Sequence, residues 1–238
     1  MPFAVIPVLD LRGGQVVRAV AGKRAAYRPL GPGDSVLVET AEPLAVARAF
    51  RGLFPFGVLY VADLDAIEGR GDQLAVIRAL ASALPDVELW VDAGIADAAA
   101  LEALLAVPRT VAVLGSESQR DAGLVRAVRD EPRVVLSLDW RGEKPQGPAE
   151  LFHDPALWPA RVIVMTLARV GTGGGPDVAR LRDVLARAGG REVYAAGGVR
   201  DPADLGALRD LGCAGALVAT ALHRGVIGRG DLERLVAP

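Results

Sequence analysis

Short runs of β-branched and other apolar residues alternate along the chain with longer segments whose apolar positions recur at helical spacing. This alternation predicts βα units around a parallel sheet. The strand-like runs are Phe3–Leu9, Val58–Ala62, Val87–Val91, Thr110–Leu114, Arg133–Leu138, Arg161–Met165, Glu192–Ala195 and Ala216–Val218. Helical spacing falls between them, over Pro43–Phe50, Gln73–Ser82, Ala98–Leu105, Val178–Arg187 and Pro202–Leu208. Glycine and proline break the pattern between Trp140 and Pro159, where no clear helix is predicted. Eight such strands predict an α/β fold, a single (β/α)8 TIM barrel spanning residues 1–238.

An internal repeat sharpens this expectation. Asp92-Ala93-Gly94-Ile95-Ala96-Asp97 lies over Ala196-Gly197-Gly198-Val199-Arg200-Asp201 at an offset of about 104 residues. The register continues without a gap: Leu101 falls on Leu205, Leu104 on Leu208, Leu114 on Val218, and Gly115-Ser116 on Ala219-Thr220. Val5-Ile6-Pro7-Val8-Leu9-Asp10 likewise resembles Val134-Val135-Leu136-Ser137-Leu138-Asp139, a carboxylate ending the strand each time. Two repeated half-barrels, about 1–120 and 121–238, explain both matches.

Composition narrows the chemistry. A chain of 238 residues, 51% hydrophobic, can bury one large core. The formal charge of -2, with no basic cluster beyond Lys23-Arg24, leaves no footprint for nucleic acid or a membrane surface. The expected partner is a phosphorylated small molecule, with a homo-oligomer or protein partner left open. Lone Cys213 cannot form an internal disulfide, and the apolar N-terminal run meets Asp10 too early for a signal peptide, so a cytoplasmic location is expected. Lys23 and Lys144 sit in polar Gly/Pro-containing segments, which argues against a Schiff-base enzyme. His153 and His223 lack neighbours at metal-ligand spacing, so neither metal nor cofactor is expected. Carboxylates and hydroxyls remain to carry the chemistry.

Active sites of such barrels lie at the C-terminal ends of the strands, which places Asp10 and Asp139 across one mouth from each other. A carboxyl pair can serve as general base and general acid when their environments differ. Asp63, ending the second strand, and Thr166, ending the sixth, are expected to look into the same mouth; Thr166 would orient a substrate hydroxyl or Asp139. Gly197-Gly198 after the seventh strand and Ala219-Thr220 after the eighth form the region where barrels bind phosphate through backbone N–H groups and a short helix N-terminus. Gly173 and Gly174 are placed to close over the same anion. The matching first-half positions are Asp92, Gly94, Gly115 and Ser116, and the carboxylate there opposes a second phosphate. The segment from Ala21 to Leu30, with Lys23, Arg24, Tyr27 and Arg28, is long enough to fold over the mouth as a lid.

These segments carry a resemblance. Ile6-Pro7-Val8-Leu9-Asp10-Leu11 with Gly14-Gln15-Val16-Val17-Arg18, Val61-Ala62-Asp63-Leu64-Asp65-Ala66-Ile67, Ser137-Leu138-Asp139 and Ala196-Gly197-Gly198-Val199 resemble the HisA/HisF superfamily. Its members include ProFAR isomerase and the cyclase subunit of imidazole glycerol phosphate synthase. The resemblance implies an isomerase-, lyase- or cyclase-type enzyme in which Asp10 and Asp139 serve acid–base catalysis and Thr166 assists. Two segments depart from it. The family's Asp-Gly-Thr after the sixth strand supplies an acid, whereas this chain reads Arg169-Val170-Gly171-Thr172. Its Gly-Gly-Gly-Ile-Arg after the third strand reads Asp92-Ala93-Gly94-Ile95-Ala96. The chain therefore looks like a divergent relative, similar also to HisA/HisF-related proteins associated with one-carbon metabolism. True ProFAR isomerase and a non-catalytic barrel binding a phosphorylated ligand or a partner protein stand as alternatives.

Overall fold

The computed structural model describes residues 3–20 and 23–236, so Ala21 and Gly22, the start of the expected lid, lie outside the described residues. The barrel strands are β1 (Ala4–Arg12), β2 (Val58–Asp63), β3 (Glu88–Asp92), β4 (Thr110–Gly115), β5 (Val134–Arg141), β6 (Arg161–Thr166), β7 (Glu192–Ala196) and β8 (Gly215–Val218). Consecutive strands pair in parallel. β8 pairs back onto β1, with Ala4 opposite Gly215 and Pro7 opposite Val218, and closes the barrel. Gly215 permits that closure, because a Cβ there would lie 2.3 Å from the Ala4 carbonyl oxygen. The protein is a single (β/α)8 barrel.

Among the described residues, eight helices longer than a single turn surround it: α1 (Pro43–Leu53), α2 (Leu74–Ala83), α3 (Ala98–Leu105), α4 (Gly123–Val128), α5 (Ala149–His153), α6 (Val178–Arg187), α7 (Pro202–Leu211) and α8 (Arg229–Val236). Local chemistry sets their ends. Asp97, Asp177 and Asp201 each accept a backbone N–H of the first turn, and Pro43 and Pro202 occupy first-turn positions where no N–H is needed. Gly212 stops α7 in a left-handed conformation. The unclear stretch after β5 holds a short strand, Lys144–Gln146, hairpinned onto β5, then α5 and a single 3-10 turn over Pro155–Leu157.

The two-residue period of the strands separates two cores. Leu59, Val61, Leu89, Val91, Leu114 and Val164 face the helices, whereas Ile6, Tyr60, Trp90, Val113, Ile163 and Leu217 fill the barrel. Near the N-terminal end, Trp90 and Tyr194 meet edge to face with centroids 4.9 Å apart, and Arg161 lies over Trp90 while pairing with Glu88 at 3.0 Å. These side chains plug the barrel below, leaving the C-terminal mouth as the place for a ligand. Among the described residues, no helix is long and apolar enough to cross a membrane.

Candidate active site

Continuing the inward period by one step puts a carboxylate above each apolar layer: Ile6, Val8, then Asp10 on β1; Trp90, then Asp92 on β3; Val135, Ser137, then Asp139 on β5. All three aspartates line one cavity of about 430 Å³ at the mouth. Asp139 is buried and well supplied with donors. The Ser137 hydroxyl donates to Oδ1 at 2.7 Å, while the Ser116 hydroxyl and the Glu117 N–H donate to Oδ2 at 3.1 and 3.2 Å. Asp92 accepts from the Tyr60 hydroxyl at 3.3 Å and the Gly94 N–H at 3.2 Å. The Asp10 carboxyl has no hydrogen bond or ion pair among the described residues and opens onto the cavity.

Burial decides the ionisation of this cluster, because a carboxylate taken out of water favours its neutral form. It pushes Asp10 up to about 7, opposed by the Arg24 charge and reinforced by Asp92. Asp139 also rises to about 7, opposed by the Ser137 hydrogen bond and reinforced by Asp92 and Glu117. Asp92 rises to about 6, held back chiefly by the Gly94 N–H. Near neutrality the cluster therefore holds both protonated and ionised carboxyls, the condition that acid–base chemistry requires.

The first loop covers this end. Arg24 forms an ion pair with Glu117, its carbonyl accepts from Arg12 at 2.7 Å, and Arg12 also pairs with Glu68. Tyr27 lines the cavity, its hydroxyl pushed up to about 12 by burial first and then by the Asp10 charge. Gly171 packs directly beneath the loop: at φ +69 its Cβ would stand 2.4 Å from the Ala19 carbonyl oxygen. Of the three expected lid cations only Arg24 lines the cavity; Lys23 is exposed outside it, and Arg28 is held by Asp34 at 2.6 Å. Arg24 is spent on Glu117 rather than left for an anion.

The opposite end is built of backbone. Gly197 and Gly198 have φ of +98 and +93, and Cβ atoms there would meet the Thr166 and Gly175 carbonyl oxygens at 2.7 and 2.2 Å. Both line the cavity with Gly173, Ala219 and Thr220. Among the described residues, the N–H groups of Gly198, Thr220 and Ala221 donate to no protein acceptor, and all three residues border the cavity. The helix there is one turn, Thr220–His223, so free donors rather than a helix dipole characterise the site. Arg18, Arg200 and Arg224 also line the cavity.

Several expectations about the mouth need correction. Asp63 and Thr166 have the outward parity of Val61 and Val164 and do not line the cavity. Asp63 accepts the Ala66 and Gln73 N–H groups at 3.0 and 2.6 Å, fixing the turn after β2. Thr166 accepts from Arg180 of α6 at 3.2 Å and does not reach Asp139. Gly174 also stays outside the cavity, in a loop held by Arg169, which donates to the Gly175 carbonyl at 2.8 Å. In the first half, Gly94, Gly115 and Ser116 do not line the cavity; Gly94 is packed on Ile67, Gly115 lies behind the Asp92 and Asp139 carboxyls, and Ser116 is engaged with Asp139. Sequence reasoning missed Glu117, Tyr60 and Arg141. Glu117 and Arg141 were findable, since each lies just beyond a residue already singled out.

Residues 4–228 match the profile of the histidine biosynthesis protein family. The chain belongs to the histidine biosynthesis protein family. Among relatives of this family member, an uncharacterized protein of Methanocaldococcus jannaschii is 29% identical, covering 98% of this chain and 97% of its own length. A ProFAR isomerase of Rubrobacter xylanophilus is 35% identical over 99% and 96% of the two chains. Phosphoribosyl isomerase A of Streptomyces griseus is 33% identical over 92% of each. In this histidine biosynthesis family barrel, Val170 lines the cavity from the loop after β6.

Proposed function

We propose that the protein is an enzyme of isomerase, lyase or cyclase type that moves protons on a small metabolite carrying one phosphate. Asp139 acts as base and Asp10 as acid. The observation carrying this reading is one cavity with two carboxyls of contrasting environment at one end and unused backbone N–H donors at the other. Hydrogen bonds to a carboxylate favour its ionised form, and Asp139 accepts three. Asp10 accepts none among the described residues and is the member that more readily keeps its proton. The phosphate oxygens accept from Gly198, Thr220 and Ala221, where glycine lets the anion approach the backbone.

The test is incubation of purified protein with a panel of phosphorylated metabolites, with product formation followed by 31P NMR and mass spectrometry. Turnover should fall by roughly 10²–10⁴-fold in Asp10→Asn. A folded Asp10→Asn protein with full turnover removes the assigned role. A second reading, ProFAR isomerase itself, is favoured by the names of relatives at 33–35% identity. Val170 and Asp92 count against it, and turnover of ProFAR by the purified protein decides it.

A further inference from the structure

Resting on the reading of the cavity as the place of a singly phosphorylated metabolite, we propose that the end of the substrate remote from the phosphate carries a nitrogen cation, an amine or amidine, received between Asp92 and Asp139. The geometry begins at Gly115, which ends β4 between the strands that carry these two carboxylates. A Cβ at Gly115 would stand 3.4 Å from Asp92 Oδ2 and 3.4 Å from Asp139 Oδ2. The two oxygens therefore lie no further apart than twice that distance, and glycine leaves the space between them free. Asp92 and Asp139 both line the cavity although Gly115 itself does not, so a nitrogen in the cavity meets the two carboxyls on the cavity side of Gly115.

The partners of these carboxylates point the same way. Asp92 is only 9% exposed, yet among the described residues its one side-chain donor is the neutral Tyr60 hydroxyl at 3.3 Å. The Asp10 carboxyl, beside them, opens onto the cavity with no hydrogen bond or ion pair among the described residues. The charged groups at this end of the cavity are Asp10, Asp92, Asp139 and Glu117 against Arg24 and Arg141, with Arg24 paired to Glu117. An anionic group there meets repulsion from four carboxyls that outnumber the two arginines, and a neutral one adds no counter-charge to them. A cationic nitrogen supplies that charge and up to three donors for the acceptor oxygens. The dipolar cavity, acid-lined at one end and donor-lined at the other, thus selects an amino-bearing phosphate ester over a bis-phosphate.

Calorimetric titration of the full protein with glucosamine 6-phosphate and glucose 6-phosphate isolates the effect, because the probes share a scaffold and phosphate and differ in one amino group. The amine should bind at least about tenfold more tightly. Asp92→Asn should erase the preference while leaving glucose 6-phosphate and inorganic phosphate binding unchanged. Gly115→Ala keeps every charge and a backbone that alanine adopts readily, yet fills the gap with a methyl group; it too should erase the preference. Equal affinity of the two sugars in the wild-type protein, or a preference that survives in both folded variants, overturns the proposal and leaves the phosphate reading intact. If inorganic phosphate and both sugars fail to bind, the phosphate reading falls. Methylguanidinium, followed by carboxyl 13C NMR, then decides the cation site alone: shifts at Asp92 and Asp139 keep it, and their absence overturns it.

Discussion

Asp10 shows how a cavity-lining carboxyl can oppose the stability of its own fold. Its carboxyl is pushed up to about 7 by burial, whereas in the unfolded chain it titrates near 4. The folded state therefore binds the proton more tightly, and the stability this group contributes in acid is lost as pH rises from about 4 through about 7. Asp10→Asn removes the cost of a buried charge without stranding a donor, because no protein group among those described donates to Asp10. At pH 8 the variant should be more stable by on the order of 2 kcal/mol, a Tm rise of roughly 5 °C, and the gain should shrink as pH falls towards about 4. Calorimetric melts at several pH values check this; equal Tm at pH 8 would mean that Asp10 is solvated. In the proposed function the same carboxyls govern the rate. With Asp139 as base and Asp10 as acid, kcat/KM should peak near pH 7, falling in acid as Asp139 takes a proton and in alkali as Asp10 loses one. A flat profile between about pH 5 and 9 speaks against the pair.

At the scale of elements, the first loop is a strap latched at its Arg24–Glu117 contact and packed against Gly171. Partly buried ion pairs of this kind are worth about 1 kcal/mol, so Glu117→Gln should raise KM by roughly fivefold and expose the loop to limited proteolysis. Unchanged KM and protease resistance would show that other contacts hold the strap. This latch was hard to read from sequence because its partners stand 93 residues apart and meet only when β4 and the first loop share the barrel mouth. The barrel itself was legible. α3 and α6 run over Ala98–Leu105 and Val178–Arg187, as the periodicity predicts, because Asp97 and Asp177 start them and the apolar spacing sustains them. Asp10, Asp92 and Asp139 were legible as strand-end residues. Asp63 and Thr166 misled because a strand-end position does not give the side-chain face, and each lies one residue out of phase with the inward row.

For the whole molecule, the two ends of the cavity have opposite character although matching turns build them. The turn after β7 offers Gly197 and Gly198, whereas the turn after β3 places Asp92 in the cavity and commits Gly94 to packing on Ile67. At an effective dielectric near 20, like charges about 4 Å apart cost roughly 4 kcal/mol, enough to cancel a modest phosphate affinity at the acidic end. On the proposed reading, that asymmetry favours a ligand with one phosphate over one with a phosphate at each end. A crystal structure of the protein soaked in millimolar phosphate tests the claim most directly. One anion is expected, accepting from the backbone N–H groups of Gly198, Thr220 and Ala221. An anion beside Gly94 and Ser116, with none beside Gly197 and Gly198, would contradict it.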